Sequence, residues 1–385
     1  MTETRKKRVM IYVQHLLGIG HLRRAYLLCN ALDSNRFEVH LITGGMPVSG
    51  PLQPGVIVHQ LPPVRSLDGH FGSLVDENNK PIDERWKKHR CDQLLALFHN
   101  LSPDALITET FPFGRRMMRF ELLPLLRAAR QHPGSPTIIS SIRDILQPKS
   151  KPGRDEEIHQ LVDEYYDRIL IHGDERLATL ADTFSLATEI ADKISYTGYI
   201  SEPIKTEPQT SAGKNEVVVS GGGGVASLPL LKCAITAQPL SAMNQHTWRL
   251  LVGPNIDQSS FDQLQKKAGK GMIIERNRTD FSSILKHCAV SVSQAGYNTV
   301  VDILKTGARA VMVPFSDAGE VEQTLRANLL QKQCRIVALA QNDLTPESLA
   351  AAIDRAANMP QQTIDVKMDG AEFSAQLLNE WLDAR

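Results

Sequence analysis

The sequence predicts an α/β fold of two doubly wound domains, each a parallel sheet with helices on both faces, facing each other across a cleft. Three observations carry that expectation. Short apolar runs rich in valine and isoleucine alternate with amphipathic segments almost from end to end, as parallel strands joined by crossover helices do. A polar, proline-containing stretch without apolar periodicity, SEPIKTEPQTSAGKNE at 201–216, divides the alternation into two similar halves. A length of 385 residues suits two domains rather than one.

In the first half the strand candidates are 8–15, 37–43, 56–61, 104–109, 137–143, 168–173 and 193–198. They are mostly continuous apolar runs, as strands covered on both faces should be. Between the first two, Leu22, Ala25, Tyr26, Cys29 and Leu32 share one helical face. In the second half the candidates are 216–222, 246–253, 271–276, 289–294, 308–315 and 334–340. The expected domains are 1–205 and 206–365, both Rossmann-like, with a helix at 366–385 packing back on the first.

Composition narrows the function. Hydrophobic residues are 42% and charged residues 22%, as in ordinary globular proteins. Lys+Arg and Asp+Glu are both 43, so the basic excess of a nucleic-acid-binding protein is missing. Cys29, Cys91, Cys233, Cys288 and Cys334 are odd in number and hold no CxxC pair. That speaks against a disulfide framework or a structural zinc site and fits a reducing cytoplasm. After the basic start, VMIYV is too short for a signal sequence or a span, and no 18-residue apolar stretch occurs. Contact with a membrane would be peripheral, at its inner face.

Three turns could carry chemistry. In HLLGIGHLRR (15–24), Gly18 and Gly20 allow a tight turn after the first strand, and His21 stands where a helix begins. Carboxyl ends of strands face the ligand crevice in such sheets, and a near-neutral imidazole suits a general base for a hydroxyl. The structural alternative is a capping or solvent-facing histidine. In SGGGGVAS (220–227), Gly221, Gly222, Gly223 and Gly224 strip side chains from a strand-to-helix turn, so backbone amides can meet a diphosphate. In the stretch 289–330, polar residues gather at two turns: Ser293, Gln294, Gly296, Tyr297, Asn298 and Thr299, then Glu320, Glu322 and Gln323. Asp302 lies one helical turn further, where a carboxylate can accept two hydrogen bonds from a ribose diol.

AGYNTVVD, then VPF, then EVEQ resembles the donor-binding signature of the GT-B glycosyltransferases, most closely family 28, which includes the bacterial peptidoglycan N-acetylglucosaminyltransferase. The likeness is good over 216–340; in the first half it rests on GIGH and the βα order. The whole chain is still more similar to an uncharacterised bacterial group of predicted glycosyltransferases. The resemblance implies a first domain that binds the acceptor and a second that binds a nucleotide-diphosphate sugar, most simply a uridine one. It implies that Asp302 binds the ribose, that Glu322 and Gln323 contact sugar hydroxyls, and that Gly221 to Gly224 with the amides of Gly296 and Tyr297 hold the diphosphate. It also implies that the His21 base is paired with a carboxylate from a later strand end, for which Glu109 is the candidate. Three departures stand out: Asp302 replaces the usual Glu, GGGGVA replaces GGSxGA, and TGYI (197–200) lacks the family's arginine.

For the acceptor, the candidates are Gly18, Gly20, Arg23, Phe113, Arg115, Arg116 and Arg143. The basic-aromatic segment 108–130 suits a glycan, lipid-linked or small-molecule acceptor, or a membrane surface, or simply a core-facing helix with a solvated edge. No DxD occurs, and seven residues beyond Glu320 and Glu322 stand Ala327 and Leu329. An inverting transferase using no metal and no cofactor is therefore expected, in cell-surface glycan or glycolipid synthesis. The alternatives are a sugar-nucleotide epimerase of the same fold and a non-catalytic nucleotide-sugar-binding protein. A nicotinamide dehydrogenase fits worst, because Arg23 stands where the third glycine of GxGxxG is needed.

Overall fold

The computed structural model describes residues 5–16, 19–66, 73–147, 152–202, 211–222, 225–316, 321–333, 335–360 and 365–384. The chain forms two compact units. One is Met1–Ser201 together with Lys367–Arg385; the other is Glu202–Val366.

The first unit starts with β1 (Lys7–Val13), α1 (Gly20–Ala31), β2 (Phe37–Thr43) and β3 (Val56–Gln60). A small antiparallel pair, β4 (Arg65–Ser66) and β5 (Leu74–Val75), follows. Then come α2 (Glu84–Leu101), β6 (Ala105–Glu109), α3 (Arg119–Gln131), β7 (Thr137–Arg143), α4 (Arg154–Tyr165), β8 (Arg168–His172) and β9 (Ile194–Tyr196). The seven long strands form one parallel sheet in the order β3-β2-β1-β6-β7-β8-β9. β1 feeds cores on both faces, because successive side chains point opposite ways. Met10 and Tyr12 join the cluster under α2 and α3, whereas Val9, Ile11 and Val13 join Leu22, Ala25 and Cys29 of α1.

The second unit repeats the plan with β10 (Val217–Ser220), α5 (Leu228–Ala237), β11 (Trp248–Val252), α6 (Gln258–Lys267), β12 (Met272–Arg276), α7 (Phe281–His287), β13 (Val290–Ser293), α8 (Tyr297–Thr306), β14 (Ala310–Met312), α9 (Glu322–Lys332), β15 (Val337–Ala338) and α10 (Pro346–Ala357). Its six strands are parallel in the order β12-β11-β10-β13-β14-β15. The last helix, α11 (Gly370–Asp383), belongs to the first unit. Its Ala375, Leu378 and Leu382 complete the α1 core.

Each sheet reverses its winding beside its first strand. β1 lies between β2 and β6, and β10 between β11 and β13. Crevices at such reversals, beyond the carboxyl ends of the strands, are where ligands bind in this class of sheet.

Candidate functional site

In the first unit, β1 and β6 pair in parallel, with Ile11 opposite Ile107 and Tyr12 opposite Thr108. The turn after β1 and the end of β6 are therefore neighbours. His21 is the second residue of α1 and Glu109 the last of β6. His21 Nδ1 lies 2.8 Å from Glu109 Oε1. Arg24, three residues on and so on the same helical face, brings Nη2 to that same oxygen. Thr110 Oγ1 donates to the other oxygen, Oε2, at 2.7 Å.

Electrostatics fix the protonation states. Burial opposes ionisation of Glu109, which is 2% exposed. The hydrogen bond from His21 and the charges of Arg24 and Arg115 overcome it and hold the carboxyl well below the usual range. Burial pushes His21 down to about 4; Arg115 and Arg24 add to the shift, and Glu109 opposes it. At neutral pH the site thus holds a carboxylate against a neutral imidazole. The hydrogen bond to Glu109 places the proton on Nδ1, which leaves the lone pair on Nε2. Arg24 Nη2 and His21 Nδ1, 3.3 Å apart, are then two donors converging on one acceptor.

A second buried histidine lies two strands away. His172 Nε2 is 2.8 Å from Ser141 Oγ and Nδ1 is 2.9 Å from Thr197 Oγ1. Burial lowers it to about 3. Both ring nitrogens are occupied, so it supports the sheet rather than offering a base.

The acceptor candidates divide. Gly20 opens α1, and Gly18 lies outside the described residues. Arg23 is exposed, and its neighbour Arg24 is the arginine that turns inward. Arg115, in a left-handed conformation at φ 56°, donates from Nε to the Gln14 carbonyl at 2.8 Å. Arg143 ends β7, half-buried. Arg116 is half exposed, 3.8 Å from Glu157. Phe113 is a correction. It touches a cavity bordered by Arg115, Arg116 and Met117, but it is 1% exposed and packs edge-on against Phe184 at 5.4 Å. It is a core side chain, not a ligand-facing one.

In the second unit, β10 and β13 pair with Ser220 opposite Ser293, which brings the two turns side by side. Gln294 Nε2 ties them, donating to the Ala226 carbonyl at 3.2 Å. A Cβ at Gly221 would fall 2.5 Å from Ser227 Oγ, and Gly222 has φ 59°, so this turn needs glycine. Gly223, Gly224 and Glu320 lie outside the described residues. α8 begins at Tyr297 with Gly296 as its cap residue and no side-chain cap. Among the described residues, nothing lies within 4 Å of a Cβ placed at Gly296. Such an open helix start is suited to an anion. Beside it, the Ser293 hydroxyl is buried and has no hydrogen-bond partner among the described residues.

Asn298 is exposed and Thr299 half-buried on the first turn of α8. Asp302, half-buried on the same helix, accepts from Ser282 Oγ at 2.6 Å. Gln323 Oε1 accepts from the Phe315 N–H at 3.1 Å. Glu322, expected at sugar hydroxyls, instead points inward: it is 4% exposed and pairs with Arg326 at 2.8 Å. Arg326 in turn donates to the Ala295 carbonyl at 3.0 Å, so this pair braces the turn at 295–297. Among the described residues, no three His, Cys, Asp or Glu side chains gather to hold a metal ion, and no helix is long and apolar enough to cross a membrane.

Comparison with known proteins fits this geometry. Residues 217–380 match the glycosyltransferase family 28 C-terminal domain. The UDP-N-acetylglucosamine--N-acetylmuramyl-(pentapeptide) pyrophosphoryl-undecaprenol N-acetylglucosamine transferase of Brucella suis is 27% identical over 187 residues, 46% of this chain and 49% of that protein. The protein of the same name from Syntrophotalea carbinolica is 31% identical over 83 residues, 21% and 23% of the two chains. The chain thus spans about half the length, or less, of the curated relatives it matches. Among solved structures, the glycotransferase of kitacinnamycin has a TM-score of 0.67 at 14% identity, covering 98% of this chain and 100% of that one. Acinetobacter baumannii MurG gives 0.62 at 14% identity, covering 97% and 99%. Phytolacca americana UGT2, solved with UDP-2fluoro-glucose and pterostilbene, gives 0.63 at 14% identity, covering 98% and 99%. At these identities the structures speak for the fold: two Rossmann-like domains of the GT-B glycosyltransferase kind. With the domain match, the chain resembles the family 28 glycosyltransferases.

Proposed function

We propose that this protein transfers a sugar from a uridine-diphosphate donor to an acceptor hydroxyl, with inversion at the anomeric carbon and without a metal ion. The observation that carries the reading is the family 28 match over the second unit, because the Gly221–Gly222 turn, Ser293 and Asp302 all lie within it. In this scheme the α8 start, the glycine turn and the Ser293 hydroxyl take the diphosphate, where backbone amides and the helix dipole meet its charge. Asp302 takes the ribose hydroxyls. Asn298, Thr299 and Gln323 are left for the sugar.

In the first unit, His21 Nε2 takes the proton of the acceptor hydroxyl as that oxygen attacks the anomeric carbon. Bond formation and departure of the nucleotide diphosphate occur on opposite faces of the sugar, hence inversion. The imidazolium formed is stabilised through Nδ1–H by the Glu109 carboxylate 2.8 Å away. Arg115, Arg116 and Arg143 are the acceptor's side of the reading. A glycan, lipid-linked or small-molecule acceptor all fit it, and so does a cytoplasmic enzyme working at the inner membrane face.

The test is a panel of nucleotide sugars and acceptors, read as release of the free nucleotide diphosphate and by NMR of the product. Acceptor-dependent release with an inverted product supports the reading. A sugar altered without any acceptor would identify an epimerase, and donor binding with no turnover a non-catalytic binder.

A further inference from the structure

We propose that Arg24 is a positioning residue that keeps the His21 imidazole neutral and turned for proton transfer; this rests on His21 being the base. The geometry is unusual for a histidine–carboxylate pair. Arg24 and His21 leave α1 on one face and reach the same carboxylate oxygen, Glu109 Oε1. Arg24 is itself only 5% exposed, so its charge acts with little screening by water.

Two consequences follow from a third group in the pair. First, the carboxylate shares its charge between an arginine and the imidazole, which weakens its hold on an imidazolium. Second, the arginine stands 3.3 Å from Nδ1 and repels a proton arriving on the ring. The other charged neighbours act in the same sense or not at all on this balance. Arg115 also disfavours a charged His21. His172 is neutral, and the uncharged Thr110 hydroxyl donates to the far carboxylate oxygen and stands 3.4 Å from Nδ1. Without Arg24, the Glu109 carboxylate would hold an imidazolium more firmly against the opposing effects of burial and Arg115. The ring would then take its proton at a higher pH, and the range over which Nε2 keeps its lone pair would shrink.

The experiment combines two readouts on the full chain. Nitrogen-15 NMR of the imidazole in wild type should show at pH 7 a neutral His21 protonated on Nδ1; a charged ring there overturns the proposal without any variant. In Arg24→Met the His21 titration should rise by at least one pH unit. The acid limb of kcat/KM should rise with it, a loss approaching tenfold per unit at pH values below the wild-type titration and little change at pH 7. Arg24→Lys, which keeps the charge, should restore much of the wild-type profile. An unmoved titration in Arg24→Met, or the same shift in the Lys variant, overturns it. If the titration moves and the pH limb does not follow, Arg24 keeps its role and His21 loses its own as base, which separates the two claims.

Discussion

A histidine serves as a base only while its ring is neutral, and the residues around His21 secure that state by burial and by two nearby arginines. The proposed proton transfer gives a direct expectation. His21→Ala should lower kcat about 10²–10⁴-fold, the usual contribution of a positioned base, while donor affinity measured by calorimetry stays near wild type. Glu109→Gln should act in the same direction with a smaller loss, since it keeps an acceptor oxygen and removes the charge. Near-normal turnover of His21→Ala at saturating acceptor would remove it from the mechanism. On the donor side, Asp302→Ala should weaken nucleotide binding by about 1.5–3 kcal/mol, the scale of hydrogen bonds to a charged group. Unchanged affinity in a folded variant would show that Asp302 serves only Ser282, its partner at 2.6 Å.

At the scale of elements, turns carry the chemistry and strands only deliver them. Gly221 is the test case. A methyl there would press on Ser227 Oγ at 2.5 Å, so Gly221→Ala should open the turn and reduce donor affinity at least tenfold with little change in melting temperature; an unaltered dissociation constant would refute the role. These turns were legible in the sequence because glycines after an apolar strand have few other uses. The pairing of His21 with Glu109 was legible only through strand order, and depended on β1 and β6 being adjacent. What the sequence hid is tertiary. Arg23 read as an acceptor candidate and Arg24 did not, but the pitch of α1 leaves the first exposed and turns the second to Glu109. Phe113 read as an acceptor candidate beside arginines, yet its ring closes on Phe184. Glu322 read as a polar turn residue, whereas Arg326 one helical turn later draws it inside. The run 308–315 read as one long strand, but only Ala310–Met312 pairs, Pro314 having no N–H to offer a neighbour. The β4–β5 pair is two residues a side, too short to leave a periodic trace.

At the scale of the whole molecule, the two buried neutral histidines make stability depend on pH. Their folded pKa values, about 4 for His21 and about 3 for His172, lie below the unfolded value near 6.5. Between those limits the unfolded chain binds more protons than the folded one, so stability falls as pH falls from about 6.5 toward 3–4. Glu109, also lowered, extends the loss to still lower pH. Melting temperature followed from pH 7 to 4 should drop, and a chain carrying both His21→Gln and His172→Gln should drop less steeply. A second global expectation concerns metals: if backbone amides and the α8 start meet the diphosphate charge, EDTA should leave turnover intact, and rescue by magnesium or manganese alone would count against it. The return of α11 to the first unit has a consequence for synthesis on the ribosome. Leu378 and Leu382 finish a core whose other walls come from residues 9–41 and from the strands at 105–107, 139 and 170, yet they leave the exit tunnel after all of the second unit. The nascent first sheet therefore waits with one face incompletely covered while 165 residues, Glu202–Val366, are translated. At about 5–20 residues per second, that is an exposure of roughly 8–33 seconds, during which a chaperone has an apolar face to hold.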